Sequence, residues 1–172
     1  MAKSKKKSTK EIERKYLLGS LPVDGILMPA DYIIYTTVYL SAGDPEIRAR
    51  KKISGRGSSR SETHSLTFKF GQGIERDEFI NPIDPELFNK SLQKYKHMAV
   101  YKDRWKIGVG SLVWEIDKFA GRHAGLLIAE IELDRKDQEV YIPEWLDVEK
   151  EVTDDPRYYN KNLATFGIPN PR

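Results

Sequence analysis

Charged side chains recur along this chain in sets whose members are separated by a single residue. Residues two apart on a β-strand point to the same side, about 6.7 Å from each other, so each set would present its charges to one face of a sheet. Apolar residues occupy many intervening positions, as Ile116 does between Glu115 and Asp117. The sets are Glu11/Glu13/Lys15, Arg48/Arg50, Thr67/Lys69, Arg76/Glu78, Lys102/Arg104, Glu115/Asp117 and Glu130/Glu132.

Most of these sets carry one sign of charge. The acidic sets lie near residues 11–13, 115–117 and 130–132, and the basic sets lie near residues 48–50, 69 and 102–104. A sheet with one solvated face would explain any single set, because opposite charges paired across strands contribute about 0.2–1 kcal/mol each. It does not explain gathered like charges, which repel by roughly 3 kcal/mol at about 6 Å and an effective dielectric of about 20. The carboxylates therefore need a cation, and the bases need an anion.

This combination of charges predicts metal-assisted phosphoryl transfer. Carboxylates coordinate hard ions such as Mg²⁺ or Mn²⁺, and Lys and Arg neutralise phosphate oxygens. Other chemistries have less support. The three histidines lack zinc-site spacing, and the sequence contains no G-x-x-x-x-G-K-[ST] loop, no G-x-S-x-G turn and no cysteine. We expect each histidine to be a surface or loop residue.

Eight segments with alternating, β-branched or aromatic residues are predicted to be the strands that position these charges. They cover about residues 10–18, 32–40, 45–53, 62–70, 74–80, 99–107, 111–119 and 125–133. One helix is predicted to begin at Asp84-Pro85, and another to begin at Asp155-Pro156 and end at Gly167. Residues 54–65 are predicted to be a polar loop. The expected fold is mainly β (α+β), a closed eight-stranded antiparallel β-barrel with a few flanking helices and a C-terminal helix.

Length and composition favour one soluble domain. The 172 residues are 39% hydrophobic and 32% charged, and the formal net charge is +3. Five lysines lie in the first ten positions, and the rest of the chain has 24 basic and 26 acidic residues. We therefore expect a disordered basic tail over residues 1–9, a single domain over residues 10–172, and no nucleic-acid partner. No apolar run is long enough to span a membrane, and a cytoplasmic location with no membrane partner is expected.

A series of short motifs, in order, resembles the CYTH family, also called triphosphate tunnel metalloenzymes, and in particular its short bacterial members. The opening EIERKYLL is similar to the alternating Glu-x-Glu-x-Lys of that family's first strand. The similarity covers roughly residues 10–168. The further motifs are Tyr39-Leu40, EIRAR, LTFKF, ERDEF, YKDRW, WEIDKF, AEIEL and EVTDDPRYYNKNL.

The resemblance implies metal-dependent hydrolysis of inorganic tripolyphosphate inside an eight-stranded tunnel, with the C-terminal helix packed against or plugging one end. It implies Mg²⁺ or Mn²⁺ ligands at Glu11, Glu13, Glu115, Asp117, Glu130 and Glu132. It implies phosphate-binding side chains at Lys15, Arg48, Arg50, Lys69, Arg76, Lys102 and Arg104. Lys102, Tyr39 and Lys15 are the implied catalytic residues.

Two departures from the family pattern concern the ends of the tunnel. Thr36-Thr37 stands where the family often has Arg-Gln, and the segment 51–65 is longer and more basic than usual. The expected partner is a polyphosphate or a triphosphate-containing small molecule, and a homodimer is compatible with the sequence. The alternatives are a class IV adenylyl cyclase, a nucleoside or thiamine triphosphatase, and a non-catalytic polyphosphate-binding module.

Overall fold

The computed structural model describes residues 5–8, 12–28, 30–55, 57–70, 77–135 and 137–170. The described strands are β1 (Lys5–Ser8), β2 (Ile12–Leu18), β3 (Asp31–Ser41), β4 (Glu46–Ser54), β5 (Ser61–Phe70), β6 (Asp77–Pro82), β7 (Ala99–Val109), β8 (Leu112–Ala120), β9 (Leu127–Leu133) and β10 (Val148–Glu151). The α-helices are α1 (Asp24–Leu27), α2 (Pro85–Lys94) and α3 (Asn160–Phe166). Short 3₁₀ turns lie at Gly57–Ser59, Lys96–Met98, Gly121–His123 and Pro156–Tyr158.

All eight predicted strands are present, as β2 to β9. The predicted loop over residues 54–65 is too long, because the alternation continues on both sides and Lys52 and Ser54 pair with Thr63 and Ser61. The basic residues at 51 and 52 therefore belong to β4. The helix predicted from Asp155 begins as a 3₁₀ turn, and α3 starts only after Tyr159, whose backbone is extended.

The sheet is antiparallel throughout, in the order β1-β6-β5-β4-β3-β7-β8-β9-β2-β10. The prediction of a mainly β antiparallel fold with helices is therefore confirmed. Within the described ranges, no pairing joins the two ends of the sheet, so the predicted closed barrel is not observed. The physical reason is that β1 pairs with β6 and β10 pairs with β2, which occupies the two edges that barrel closure would join.

Strand β1 lies in the segment that was expected to be a disordered tail. The structure differs from that expectation over Lys5–Ser8, which pair with Ile80 to Asp77 of β6. The unpaired N–H and C=O groups of an edge strand accept an added strand in this way. The structure describes no other residue of the 1–9 segment.

One face of the sheet is apolar and covered. Across β2, β8 and β9, the buried side chains of Tyr16, Trp114 and Ile131 pack together with Leu146 from the segment before β10. Across β3 and β4, Phe88 of α2 covers Val38 and Ala49. Removing this apolar area from water stabilises the sheet at about 25 cal/mol per Å².

Helix α3 lies on that opposite face, at one end. Leu163 and Ala164 are fully buried there against Tyr39, Phe119 and Ile128. This is the packing expected of the C-terminal helix. None of the helices in the described part of the chain has the length and apolar content that a membrane span requires.

Candidate active site

Strand register places the predicted site residues on one face of the sheet. Residues directly opposite each other in an antiparallel pair project to the same side. Glu130 lies opposite Lys15 on one side and Glu115 on the other, and Arg104 lies opposite Asp117. The same face carries Glu13, Glu132, Lys102, Tyr39, Arg48, Arg50 and Lys69. Glu11 and Arg76 lie outside the described residues.

The centre of this charged face is buried, unlike a solvated sheet face, whereas Glu13 and Glu132 at its margin are exposed. Asp117 is 0% exposed, Lys102 5%, Lys15 6% and Glu130 8%. Buried ions are stable only when they are paired and hydrogen-bonded. The interpretation of the sets as one side of a solvated sheet is therefore wrong.

Arg104 joins the carboxylates of β8 and β9. Its Nε and Nη2 donate to Asp117 at 2.6 Å each, and Nη2 also donates to Glu130 at 2.5 Å. Its Nη1 contacts Glu115. Burial alone would lower the pKa of Arg104, but Asp117 and Glu130 raise it above the ordinary value. The guanidinium therefore stays charged and holds the carboxylates together.

Lys15 lies between two further carboxylates. Its Nζ is 2.5 Å from Glu130 Oε1 and 2.9 Å from Glu13 Oε1. Burial would lower the pKa of Lys15, but Glu130 and Glu13 raise it above the ordinary value. Burial would raise the pKa of Glu130, but Lys15, Lys102 and Arg104 hold it well below the usual range.

Two backbone hydrogen bonds fix the position of Lys15. Its amide N–H donates to the Thr153 hydroxyl at 3.1 Å, and its carbonyl accepts from the Val152 amide at 2.8 Å. Both partners follow β10, which itself pairs with β2. The EVTDD segment therefore positions a site residue that lies far away in the sequence.

Arg50 of β4 and Lys102 of β7 have fewer carboxylate partners than Arg104. Burial and the charge of Arg48 lower the pKa of Arg50 to about 10. Burial and Arg104 lower the pKa of Lys102 to about 8, although Lys102 contacts Asp117. Arg48 contacts Glu78 at 3.2 Å, but its buried Nε has no hydrogen-bond partner within the described ranges. This half of the face is suited to binding an anion.

Two tyrosines lie among these cations. Burial raises the pKa of Tyr39, which is 2% exposed and lies beside Arg48. The ring of Tyr35 has Arg50, Lys102 and Arg104 at 4.8, 5.8 and 5.7 Å from its centroid. The sequence analysis missed Tyr35, although its position four residues before Tyr39 on one strand places both on the same face.

Two of the three histidines differ from the prediction that all are surface or loop residues. His64 lies in β5, and its side chain is only 7% exposed. His123 is in a turn but is 0% exposed, and its Nε2 is 2.7 Å from the Leu163 carbonyl oxygen of α3. Burial lowers its pKa. Its apolar surroundings, with Phe119 beside the ring, explain why it is inside. It therefore contributes to the docking of α3.

Comparison with known proteins identifies the family of this chain. No protein-family model matches the chain. The curated inorganic triphosphatase of Acetivibrio thermocellus is 32% identical over 158 residues, which are 90% of this chain and 93% of that protein. This chain belongs to the CYTH inorganic triphosphatases.

Two further CYTH proteins agree with this family. The inorganic triphosphatase of Nitrosomonas europaea is also 32% identical over 158 residues, 90% of this chain and 96% of its own. The crystal structure of the inorganic triphosphatase NE1496 has a TM-score of 0.67 at 28% identity, and covers 94% of this chain and 98% of that chain. The similarity therefore extends over nearly the whole chain.

Three residues of the charged face were not predicted from the sequence. Glu46 is 7% exposed and lies opposite Lys69. Lys52 and Lys106 continue the alternating sets one step beyond Arg50 and Arg104. The signal that could have found the two lysines is the same two-residue spacing.

Proposed function

We propose that this protein hydrolyses inorganic tripolyphosphate with the help of a divalent metal ion. The observation that carries the proposal is the buried face on which cations of β4 and β7 adjoin carboxylates of β8 and β9. A polyanion with a bound cation complements both halves of such a face. The names of the relatives supply the substrate, because each is called an inorganic triphosphatase.

The basic half would hold the substrate. Arg48 and Arg50 offer guanidinium donors without a full set of carboxylate partners, and Lys102 is close to Arg104. Phosphate oxygens accept from such groups in charge-assisted hydrogen bonds, which are about twice as strong as neutral ones. The proposed phosphate-binding residues are Lys15, Arg48, Arg50, Lys69, Arg76, Lys102 and Arg104.

The acidic half has the donor chemistry of a Mg²⁺ or Mn²⁺ site. Glu13 lies opposite Glu132, and Glu115 lies opposite Glu130, so carboxylates of three strands share this half of the face. In the described ranges no group of three metal-ligating side chains converges, because Lys15 and Arg104 occupy these oxygens. The proposed ligands are Glu11, Glu13, Glu115, Asp117, Glu130 and Glu132. An ion held there would polarise a phosphate oxygen and lower the pKa of a bound water.

The chain's own side chains would bind the phosphate groups and stabilise their charge. Lys15 and Arg104 would donate to phosphate oxygens and stabilise charge on the transferred group. Lys102 and Tyr39 would contact the same group from β7 and β3. We also propose that the strands curve into a tunnel around the substrate, since Arg104 reaches Glu130 across β8 and Arg48 reaches Glu78 across β5.

A product assay tests the activity. The protein is incubated with tripolyphosphate, ATP or thiamine triphosphate, each with Mg²⁺ or Mn²⁺, and phosphate, pyrophosphate and cyclic AMP are measured. We expect phosphate and pyrophosphate from tripolyphosphate, with the highest kcat/KM of the three substrates. Cyclic AMP with pyrophosphate from ATP would instead establish a cyclase, and binding of tripolyphosphate without turnover in either metal would establish a binding module.

Replacing Glu13 tests the metal site. We expect Glu13→Gln to lower metal-dependent kcat/KM on the order of 100-fold, because a ligand charge is lost. The Glu13 side chain is 45% exposed, so the free energy of unfolding should change by less than about 1 kcal/mol. Glu149→Gln, an exposed residue of β10, is the matched control. Unchanged turnover of Glu13→Gln at saturating metal would remove Glu13 from the site.

A further inference from the structure

Two lysines extend the cationic rows past the residues assigned to phosphate. Lys52 lies opposite Tyr35 and Thr63, on the same face as Arg48 and Arg50. Lys106 lies opposite Glu115, on the same face as Lys102 and Arg104. Both are partly buried rather than fully solvated. The rows are therefore Arg48-Arg50-Lys52 on β4 and Lys102-Arg104-Lys106 on β7, on either side of β3.

These lysines lie toward the end of the face that α3 does not cover. Helix α3 packs against Tyr39 and Val100. The cationic row of β7 runs four residues from Lys102 to Lys106, which is roughly 14 Å along an antiparallel strand. A chain of three linked phosphate groups is shorter than this row. The face is thus longer than tripolyphosphate requires.

The two ammonium groups share one electrostatic environment. Burial lowers the pKa of Lys106, and the positive charges of Arg104 and Lys52 lower it further, while Glu132 and Asp31 offset part of this effect. Lys106 contacts Glu115, which is also engaged by Arg104. No carboxylate in the described part of the chain lies within ion-pair distance of Lys52. Like charges gathered in a partly buried site are stabilised by an anion.

We propose that Lys52 and Lys106 form an additional phosphate subsite that lets this face bind linear polyphosphates of four or more phosphate groups. The inference rests on the proposed function for the position of the first three phosphates. It assigns a chain-length preference to two residues of β4 and β7. The reaction itself is the same, with water cleaving one phosphoanhydride bond and a proton released to solvent.

Binding without divalent ions tests the subsite apart from turnover. The probes are linear tripolyphosphate and tetrapolyphosphate, and calorimetry gives Kd for each with the native protein, Lys52→Gln, Lys106→Gln and Lys51→Gln. Lys51 is the matched control, since it lies on the same strand but faces the other way, near the Phe88 ring. We expect native protein to prefer tetrapolyphosphate, and Lys52→Gln to reduce that preference by about fivefold to tenfold.

The measured affinities distinguish a phosphate subsite from a solvated edge of the face that binds no phosphate. Equal affinity of native protein for the two chains overturns the proposal, as does an equal preference in Lys52→Gln and Lys51→Gln. If Lys106→Gln fails to fold because Glu115 loses a partner, Lys52→Gln alone carries the test. Failure of the proposed function shows differently, as absent release of phosphate from tripolyphosphate with Mg²⁺ or Mn²⁺ in the same preparations.

Discussion

Arg104 is the residue on which the carboxylate half of the site converges. Removing one partner from a buried ion pair costs about 3–5 kcal/mol, because the other charge is left buried and unpaired. Asp117, which is 0% exposed, depends on Arg104 and Lys102 in this way. The side chains that would bind substrate therefore also stabilise the folded protein. Chemistry and stability are coupled at single residues here.

His123 gives a pH dependence to folding at the residue scale. Burial lowers its pKa below 6.5 in the folded protein, whereas the unfolded chain keeps the ordinary value. The unfolded state then binds more protons below pH 6.5, so stability falls as the pH decreases from 6.5 toward the folded pKa. We expect the free energy of unfolding, measured in urea, to fall more steeply between pH 6.5 and 5 in native protein than in His123→Gln.

The control for this experiment is another histidine. His97 is exposed, and its replacement by Gln should leave the pH dependence as in the native protein. Identical slopes for native protein and His123→Gln would show that His123 is not the group responsible.

At the scale of elements, β10 and the residues after it position the first strand of the site. The Thr153 hydroxyl accepts from the Lys15 amide and donates to a Glu151 carboxylate oxygen. The strand is only four residues long and has a register irregularity between Val148 and Lys150. Its contribution is therefore made by a few directed hydrogen bonds.

Replacing Thr153 tests this role. We expect Thr153→Val to destabilise the protein by roughly 1 kcal/mol, since a partly buried amide loses its acceptor. We also expect a several-fold loss in kcat for tripolyphosphate, because Lys15 is displaced from Glu130. Thr153→Ser keeps the hydroxyl and should restore both values. If the Thr153→Val variant retains the native kcat, Thr153 has a structural role only.

Some of these features can be predicted from the sequence and others cannot, for physical reasons. Alternation predicts that Glu115, Asp117 and Arg104 share a face, because side-chain direction on a strand follows from local geometry alone. It does not predict that VEKE pairs with β2, since a four-residue segment carries little periodicity and its partner is over a hundred residues away. Closure of the barrel is not confirmed, because β1 and β10 pair at the two edges of the sheet. The strands that cover the edges were not recognised in the sequence.

At the scale of the whole molecule, α3 closes one end of the charged face and is fixed there from two sides. On its inner side, Leu163 and Ala164 of the helix pack against the sheet. On its outer side, Arg122 Nη1 donates to the carbonyl oxygens of His97 and Ala164. Gly167, with φ of 82°, ends the helix in a conformation that favours glycine. The helix thus excludes water from the region around Tyr39.

Leu163 is the side chain that tests this closure. We expect Leu163→Ala to lower the free energy of unfolding by about 2–5 kcal/mol, because a fully buried side chain is replaced by a cavity. Thermal unfolding followed by circular dichroism measures the effect. Phe166→Ala is the control on the same helix, since Phe166 is 79% exposed and should change stability by less than about 0.5 kcal/mol. Similar losses in the two variants would contradict the packing described.

The position of β2 in the sheet has a consequence for biosynthesis. Arg50 and Thr37 are 13 residues apart, and Lys102 and Asp117 are 15 apart, whereas Lys15 and Glu130 are separated by 115 residues. Contacts between distant residues require costly loop closure and form later than local ones. On the ribosome, β2 emerges early but can pair only after β9 and β10 have been synthesised. We therefore expect a nascent chain to remain inactive until the segment through Thr153 has been synthesised, so that strand order alone keeps unfinished copies from cleaving phosphate.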